Sequence, residues 1–247
     1  MTPSQQRHLL WAILAVGAFI VIATTIAALT RSQRDIQIAA PADPAPASDG
    51  FTFFDISHTT VLDRALRNRL SETLGSDAIA HATPIDLMIV DQTFVQTNLP
   101  EIFQLNQRLN PPLEERREHN TTRLTYLRAE SHALPFREIE LVFSNFTGRP
   151  LYFIIKPTED FSDGIATLTA KYGPPRKVGV ADRNLPVCIW ERADDYLVAT
   201  QLRRRNGRLS QELRIYFMDN LKQLAESEEQ TRRQEDRSTR KAGERAF

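Results

Sequence analysis

The chain has a single cysteine, Cys188, among its 247 residues. An intrachain disulfide framework is therefore excluded, as are a multi-cysteine metal site and an iron–sulfur cluster in the isolated chain. One cysteine fits either redox compartment, so it does not place the protein. A basic excess is also missing: 31 Lys and Arg balance 31 Asp and Glu, so nothing points to a nucleic-acid partner. The nine glycines never assemble into a phosphate-cradling loop. No serine lies in a G-x-S-x-G context, and Ser162-Asp163-Gly164 reads as a helix start. Of the histidines (His8, His58, His81, His119 and His132), no two stand four apart on a predicted helix, and none has a carboxylate at metal-ligand spacing. Cys188 sits in the apolar run Val187-Cys188-Ile189-Trp190 and reads as a small buried hydrophobe, not a nucleophile. No catalytic, cofactor-binding or metal-binding set emerges, and no cofactor is expected.

What the sequence does have is one long apolar run. Leu9–Leu29 carries no charge over its length. At about 1.5 Å rise per residue it spans roughly 30 Å, the thickness of a bilayer's hydrocarbon core. It is longer than a signal-peptide core of about 7–15 residues. The prolines in Ala40-Pro41-Ala42 and Ala45-Pro46-Ala47 argue against cleavage there, so the reading is an uncleaved signal-anchor, a single-pass transmembrane helix. Charge leaves its direction open: Arg7 and the α-amino group precede it, and Arg31 and Arg34 follow. Residues 1–8 form a short head, and a head this short is more readily left in the cytoplasm than passed across. The expected topology is therefore N-terminus cytoplasmic and C-terminal domain extracytoplasmic, in the periplasm if the cell is bacterial.

Residues 30–50 form a Pro/Ala-rich linker, Phe51 to about Asn220 has the length for one globular domain, and residues 221–247 form a charged tail, helical or disordered. Within the domain, apolar spacing predicts a helix over Thr59–Leu74, with Thr60 and Asp63 as a capping box and Gly75 as the stop. A second helix is predicted over Leu99–Leu109, capped by Asn98 and ended by Pro111-Pro112. Glu114–His119 is a solvated charge run. Strands are predicted at Arg123–Arg128, Phe136–Phe146, Leu151–Ile155, Val187–Glu191, Tyr196–Arg204 and Leu209–Met218, with a helix over Ser162–Tyr172 and a hairpin turn at Asn206-Gly207. The expected fold is α+β: an antiparallel sheet of about six strands ordered β-β-β-α-β-β-β, with two preceding helices on one face. Internal repeats are not evident.

The run Leu168-Thr169-Ala170-Lys171-Tyr172-Gly173-Pro174-Pro175, followed by Trp190-Glu191 and the Asn206-Gly207 hairpin, resembles small uncharacterised bacterial extracytoplasmic α+β domains. In these an L-x-x-K-Y-G-x-P helix stop precedes a Trp-bearing hairpin. The likeness covers about Glu138–Met218 and implies an envelope location and no active site.

Arg203, Arg204, Arg205 and Arg208 surround the hairpin turn as a candidate interaction surface, against the plainer reading of protective charge on a sheet edge. Trp190 and Tyr172 are core residues or the lining of a ligand cleft. The expected function is a noncatalytic accessory or structural component of an envelope complex, held in the lipid bilayer through residues 9–29 and bound to a protein partner. Two alternatives stay open. One is a membrane-tethered enzyme whose site is assembled from scattered acids such as Asp160, Asp163, Asp182 and Glu191; the other is a ligand sensor acting through a partner.

Overall fold

A computed structural model describes residues 50–111, 117–127, 134–158, 162–180, 183–203 and 209–246. The apolar segment 9–29, most of the linker, the first half of the 114–119 charge run and the Asn206-Gly207 turn lie outside the described residues. Among the described residues no helix is long and apolar enough to cross a membrane.

Helix α1 (Arg64–Leu74) presents Leu66, Leu70 and Leu74 as its buried stripe. Asp63 caps it, accepting from the Leu66 N–H, and Gly75 ends it at φ 88°, as the spacing predicts. Thr60 plays a different part: its hydroxyl accepts from the Ser57 N–H, so the helix starts later than Thr59. After strand β1 (Ala78–Thr83) come helices α2 (Gln92–Asn98) and α3 (Pro100–Leu109). Asn98 does not cap α3. It closes α2, its amide donating to the Phe94 carbonyl, and the cap position of α3 is Leu99, which makes no side-chain capping bond. Pro100 needs no donor at a helix start, which lets α3 follow α2 directly.

Strands β2 (His119–Tyr126), β3 (Phe136–Ser144) and β4 (Pro150–Pro157) follow, then helix α4 (Ser162–Tyr172). The chain then forms β5 (Arg176–Val180), β6 (Arg183–Arg192), β7 (Asp195–Arg203), β8 (Leu209–Tyr216) and the 29-residue helix α5 (Met218–Ala246). The strands make one antiparallel eight-stranded sheet in the order β1-β2-β3-β4-β8-β7-β6-β5. The α+β class stands, and the strand count of about six is corrected. The two additional strands are the sheet's edges. β1 reads Ala-Ile-Ala-His-Ala-Thr, with little alternation, and β5 starts directly after the pair Pro174-Pro175 and contains Gly179.

A second correction concerns layers. Helices cover both faces, not one. Leu66, Leu70 and Leu74 of α1 pack with Phe143, Phe153 and Leu213, and Ile165, Leu168 and Tyr172 of α4 join the same cluster. On the opposite face, Ile102, Phe103 and Leu109 of α3 pack with Leu221 and Leu224 of α5 over Val142, Val198 and Tyr216. Strand alternation makes this possible, because odd and even residues of each central strand are both largely apolar.

A repeat also emerges that the sequence does not display. Each half of the sheet runs from an outer strand to a central one, each is preceded by a helix on the same face, and each helix stops on a left-handed glycine, Gly75 at φ 88° and Gly173 at φ 86°. The insertion of α2 and α3 into the first half only hides the correspondence.

Candidate functional site: a charged cleft beside the sheet

The face under α3 is only partly roofed. Beyond the helix a cleft of about 620 Å³ opens, floored by β2, β3, β4 and β8 and walled by Pro84–Asp86, by Asn106 of α3 and by Asn110 at that helix's C-terminal cap. Its wall is fastened by amide bonds. Asn106 Oδ1 accepts from the Leu87 N–H at 2.9 Å, and Asn110 Nδ2 donates to the Ile85 carbonyl at 2.9 Å. Tyr216 completes it from the floor, donating its hydroxyl to the Leu87 carbonyl at 2.9 Å. Burial pushes that phenol up to about 12, so it stays a donor at ordinary pH.

Register places the charges. Thr125, Glu140, Ile154 and Arg214 form one row across β2, β3, β4 and β8, and Glu138 pairs with Lys156 in the next. Arg123, Val142, Tyr152 and Tyr216 form the row on the other side. Three ion pairs result. Arg214 Nε donates to Glu212 at 2.6 Å, and its Nη1 to the Asp86 carbonyl at 3.1 Å. Lys156 Nζ donates to Glu138 at 2.7 Å. Arg123 approaches Glu140 no closer than 3.5 Å, because its Nη2 is committed to the Pro84 carbonyl at 2.9 Å and the Tyr152 hydroxyl at 3.4 Å. Arg123 Nε is buried and has no hydrogen-bond partner among the described residues.

These environments shift the acids and bases apart. Burial pushes the Glu140 carboxyl above its usual range; Arg123 and Lys156 oppose the rise and the Glu138 carboxylate adds to it. Burial alone would lower Arg214, but Tyr216 and Glu212 outweigh it and hold the guanidinium firmly protonated. Burial raises Tyr152 as well.

The sequence-predicted surface is placed only at its start. Arg203 is the last residue of β7, and Arg204, Arg205 and Arg208 lie outside the described residues. Asp163 stands in the first turn of α4, Glu191 bonds to Arg176 at 2.8 Å, and Asp160 and Asp182 lie outside. Only two of the four named acids, Asp163 and Glu191, therefore lie among the described residues. Trp190 is buried, its indole N–H donating to the Gly173 carbonyl at 2.8 Å, and Cys188 is buried as expected. Ile189, Trp190 and Tyr172 border a smaller hollow of about 270 Å³. The residues that sequence reasoning passed over are Arg123, Glu138, Glu140, Lys156, Glu212 and Arg214. Their signal was period two: Glu138 and Glu140 alternate with Ile139 and Leu141, and Glu212 and Arg214 with Leu213 and Ile215. Among the described residues no group of three or more His, Cys, Asp or Glu is arranged to hold a metal.

Compared with protein-family models, with curated proteins and with solved structures, the chain matches none.

Proposed function

We propose that the chain is a membrane-anchored binding module: Leu9–Leu29 fixes it in a bilayer, and the domain recognises its ligand or partner in the cleft between α3 and the sheet. The domain lies on the extracytoplasmic side as a noncatalytic component of an envelope complex. The observation that carries this reading is the cleft itself. Its volume of about 620 Å³ falls within the roughly 300–1,000 Å³ range of ligand pockets. Its charged side chains are held by neighbours before any ligand arrives, as preorganised recognition requires. Among the described residues its lining contains no Ser, Thr, Cys or His.

The test is crosslinking and co-purification of the full chain from detergent, beside a variant carrying Lys156→Glu and Arg214→Glu whose fold is verified by circular dichroism. A partner captured by the native chain and lost in the variant supports the reading. A clean monomer, or capture indifferent to the variant, overturns it.

One observation favours the alternative of a tethered enzyme: Glu140 lines the cleft with Glu138 beside it, and burial raises its carboxyl, an arrangement suited to general acid catalysis. Turnover of any ester, amide or glycoside that disappears in Glu140→Gln would establish that reading instead.

A further inference from the structure

We propose that the ligand of the cleft is a zwitterion carrying an ammonium next to a carboxylate, as in a free amino acid or a short peptide. This rests on the cleft being a binding site. Of its three ion pairs, two are closed by short hydrogen bonds, Arg214–Glu212 at 2.6 Å and Lys156–Glu138 at 2.7 Å. The third, Arg123–Glu140, stands open at 3.5 Å. Both partners reach the solvent: the Arg123 side chain is 26% exposed and that of Glu140 is 15% exposed. A carboxylate lacking a close cationic donor and a guanidinium lacking a close anionic acceptor therefore sit side by side on adjacent strands.

A simple anion entering the cleft would gain Arg123 but meet Asp86, Glu140 and Glu212. A simple cation would gain Glu140 but meet Arg123, Lys156 and Arg214. A molecule bearing both charges finds an opposite charge for each, with its ammonium on Glu140 and its carboxylate on Arg123. Ile154, next to Glu140 in the same row, and Pro84 and Ile85 opposite give its carbon frame an apolar floor and wall.

A proton balance follows. Burial raises the Glu140 carboxyl above its usual range and Glu138 adds to the rise, against Arg123 and Lys156. An ammonium placed there favours the ionised carboxylate and expels its proton to bulk. Wherever Glu140 is partly protonated, binding therefore releases protons, and the observed heat there depends on the buffer's ionisation enthalpy.

The experiment is titration calorimetry of the full chain in detergent, in pairs of buffers at several pH values from the usual carboxylate range upward. The probes are free amino acids and dipeptides, their N-acetyl and C-amide forms, an alkylamine and inorganic phosphate. The expected result is binding of unblocked zwitterions with proton release, weakened about tenfold or more by blocking either end, the scale of one charge-assisted hydrogen bond. Glu140→Gln should weaken binding by a similar factor and remove the buffer dependence, with its thermal midpoint showing that it is folded. Equal binding of blocked forms, of alkylamine or of phosphate, or no binding of any zwitterion, overturns the proposal. If no probe binds while the Lys156→Glu, Arg214→Glu variant still loses its crosslinked partner, the ligand class falls and the binding-module reading stands.

Discussion

Asp195 shows how much one buried carboxylate can organise. It starts β7, just past a tight turn whose residues Ala193 and Asp194 take φ of 45° and 67°. Its Oδ1 accepts from the Met218 N–H at 3.0 Å, so a side chain from the sheet caps the first turn of α5. Burial raises it to about 7; the Met218 hydrogen bond and Lys222 oppose the rise, and Asp219 and Asp194 add to it. The folded pKa stands above the ordinary aspartate value near ~4. The native state therefore binds more protons than the unfolded chain in between. Stability is full below about pH 4 and is lost as pH rises through 7, on the order of 1 kcal/mol per pH unit. Asp195→Asn keeps the acceptor and removes the titration, so its denaturation midpoints between pH 4.5 and 7.5 should flatten relative to the native chain. A slope unchanged in the variant would assign the effect to another group. Gly148 offers a steric test. At φ 70°, with an added Cβ only 2.8 Å from Val61 Cγ1, Gly148→Ala should cost about 1–3 kcal/mol, read as a lower thermal midpoint.

At the scale of elements, the sequence was most legible where apolar spacing was strong. The α1 stripe, its Gly75 stop, the Gly173 stop and the central strands all match the periodicity. The edges were not legible. β1 lacks β-branched alternation, and α2 is a short helix whose only clear signal is Asp91, which accepts from the Phe94 N–H at 2.9 Å. The cleft was hidden for a related reason. Glu138, Glu140 and Arg214 sit where a half-exposed sheet would face water, and only the placement of α3 over the neighbouring rows turns a solvated face into a site. The charged tail could be read as helix or disorder; residues 218–246 form α5. Its first half is bolted down. Glu228 bonds to His119 Nδ1 at 2.9 Å and accepts from the Asn120 N–H at 3.0 Å, and Arg108 donates to Glu229 at 2.6 Å. Residues 234–240 are exposed on every side. Truncation after Arg233 should therefore cost under about 1 kcal/mol. Glu228→Ala, which leaves the buried His119 ring and the Asn120 N–H without their acceptor, should cost about 2–4 kcal/mol. Urea denaturation of the two variants checks the contrast, and equal losses would show that the distal turns carry tertiary contacts.

At the scale of the whole molecule, the topology proposed from Leu9–Leu29 and the short head has a direct check. In sealed right-side-out vesicles, protease added outside should digest the domain without lysis. Digestion only from the cytoplasmic face would reverse the orientation and move the cleft to the other compartment. The sheet's connectivity, finally, bears on how the molecule comes into being. The pairings β2–β3, β3–β4, β5–β6, β6–β7 and β7–β8 each join strands connected by a short link, so they form with little loop-closure entropy. The seam between β4 and β8 is different: four residue pairs, Tyr152–Tyr216 through Ile155–Leu213, join segments separated by α4 and three strands. Refolding should therefore zip two meanders early and close the seam late. Ile215→Val should accelerate unfolding in stopped-flow traces while leaving the refolding rate nearly unchanged. The cleft straddles that seam, with Glu140 on one meander and Arg214 on the other, so the binding surface is the last part of the domain to exist during folding and the first to be lost when the halves part.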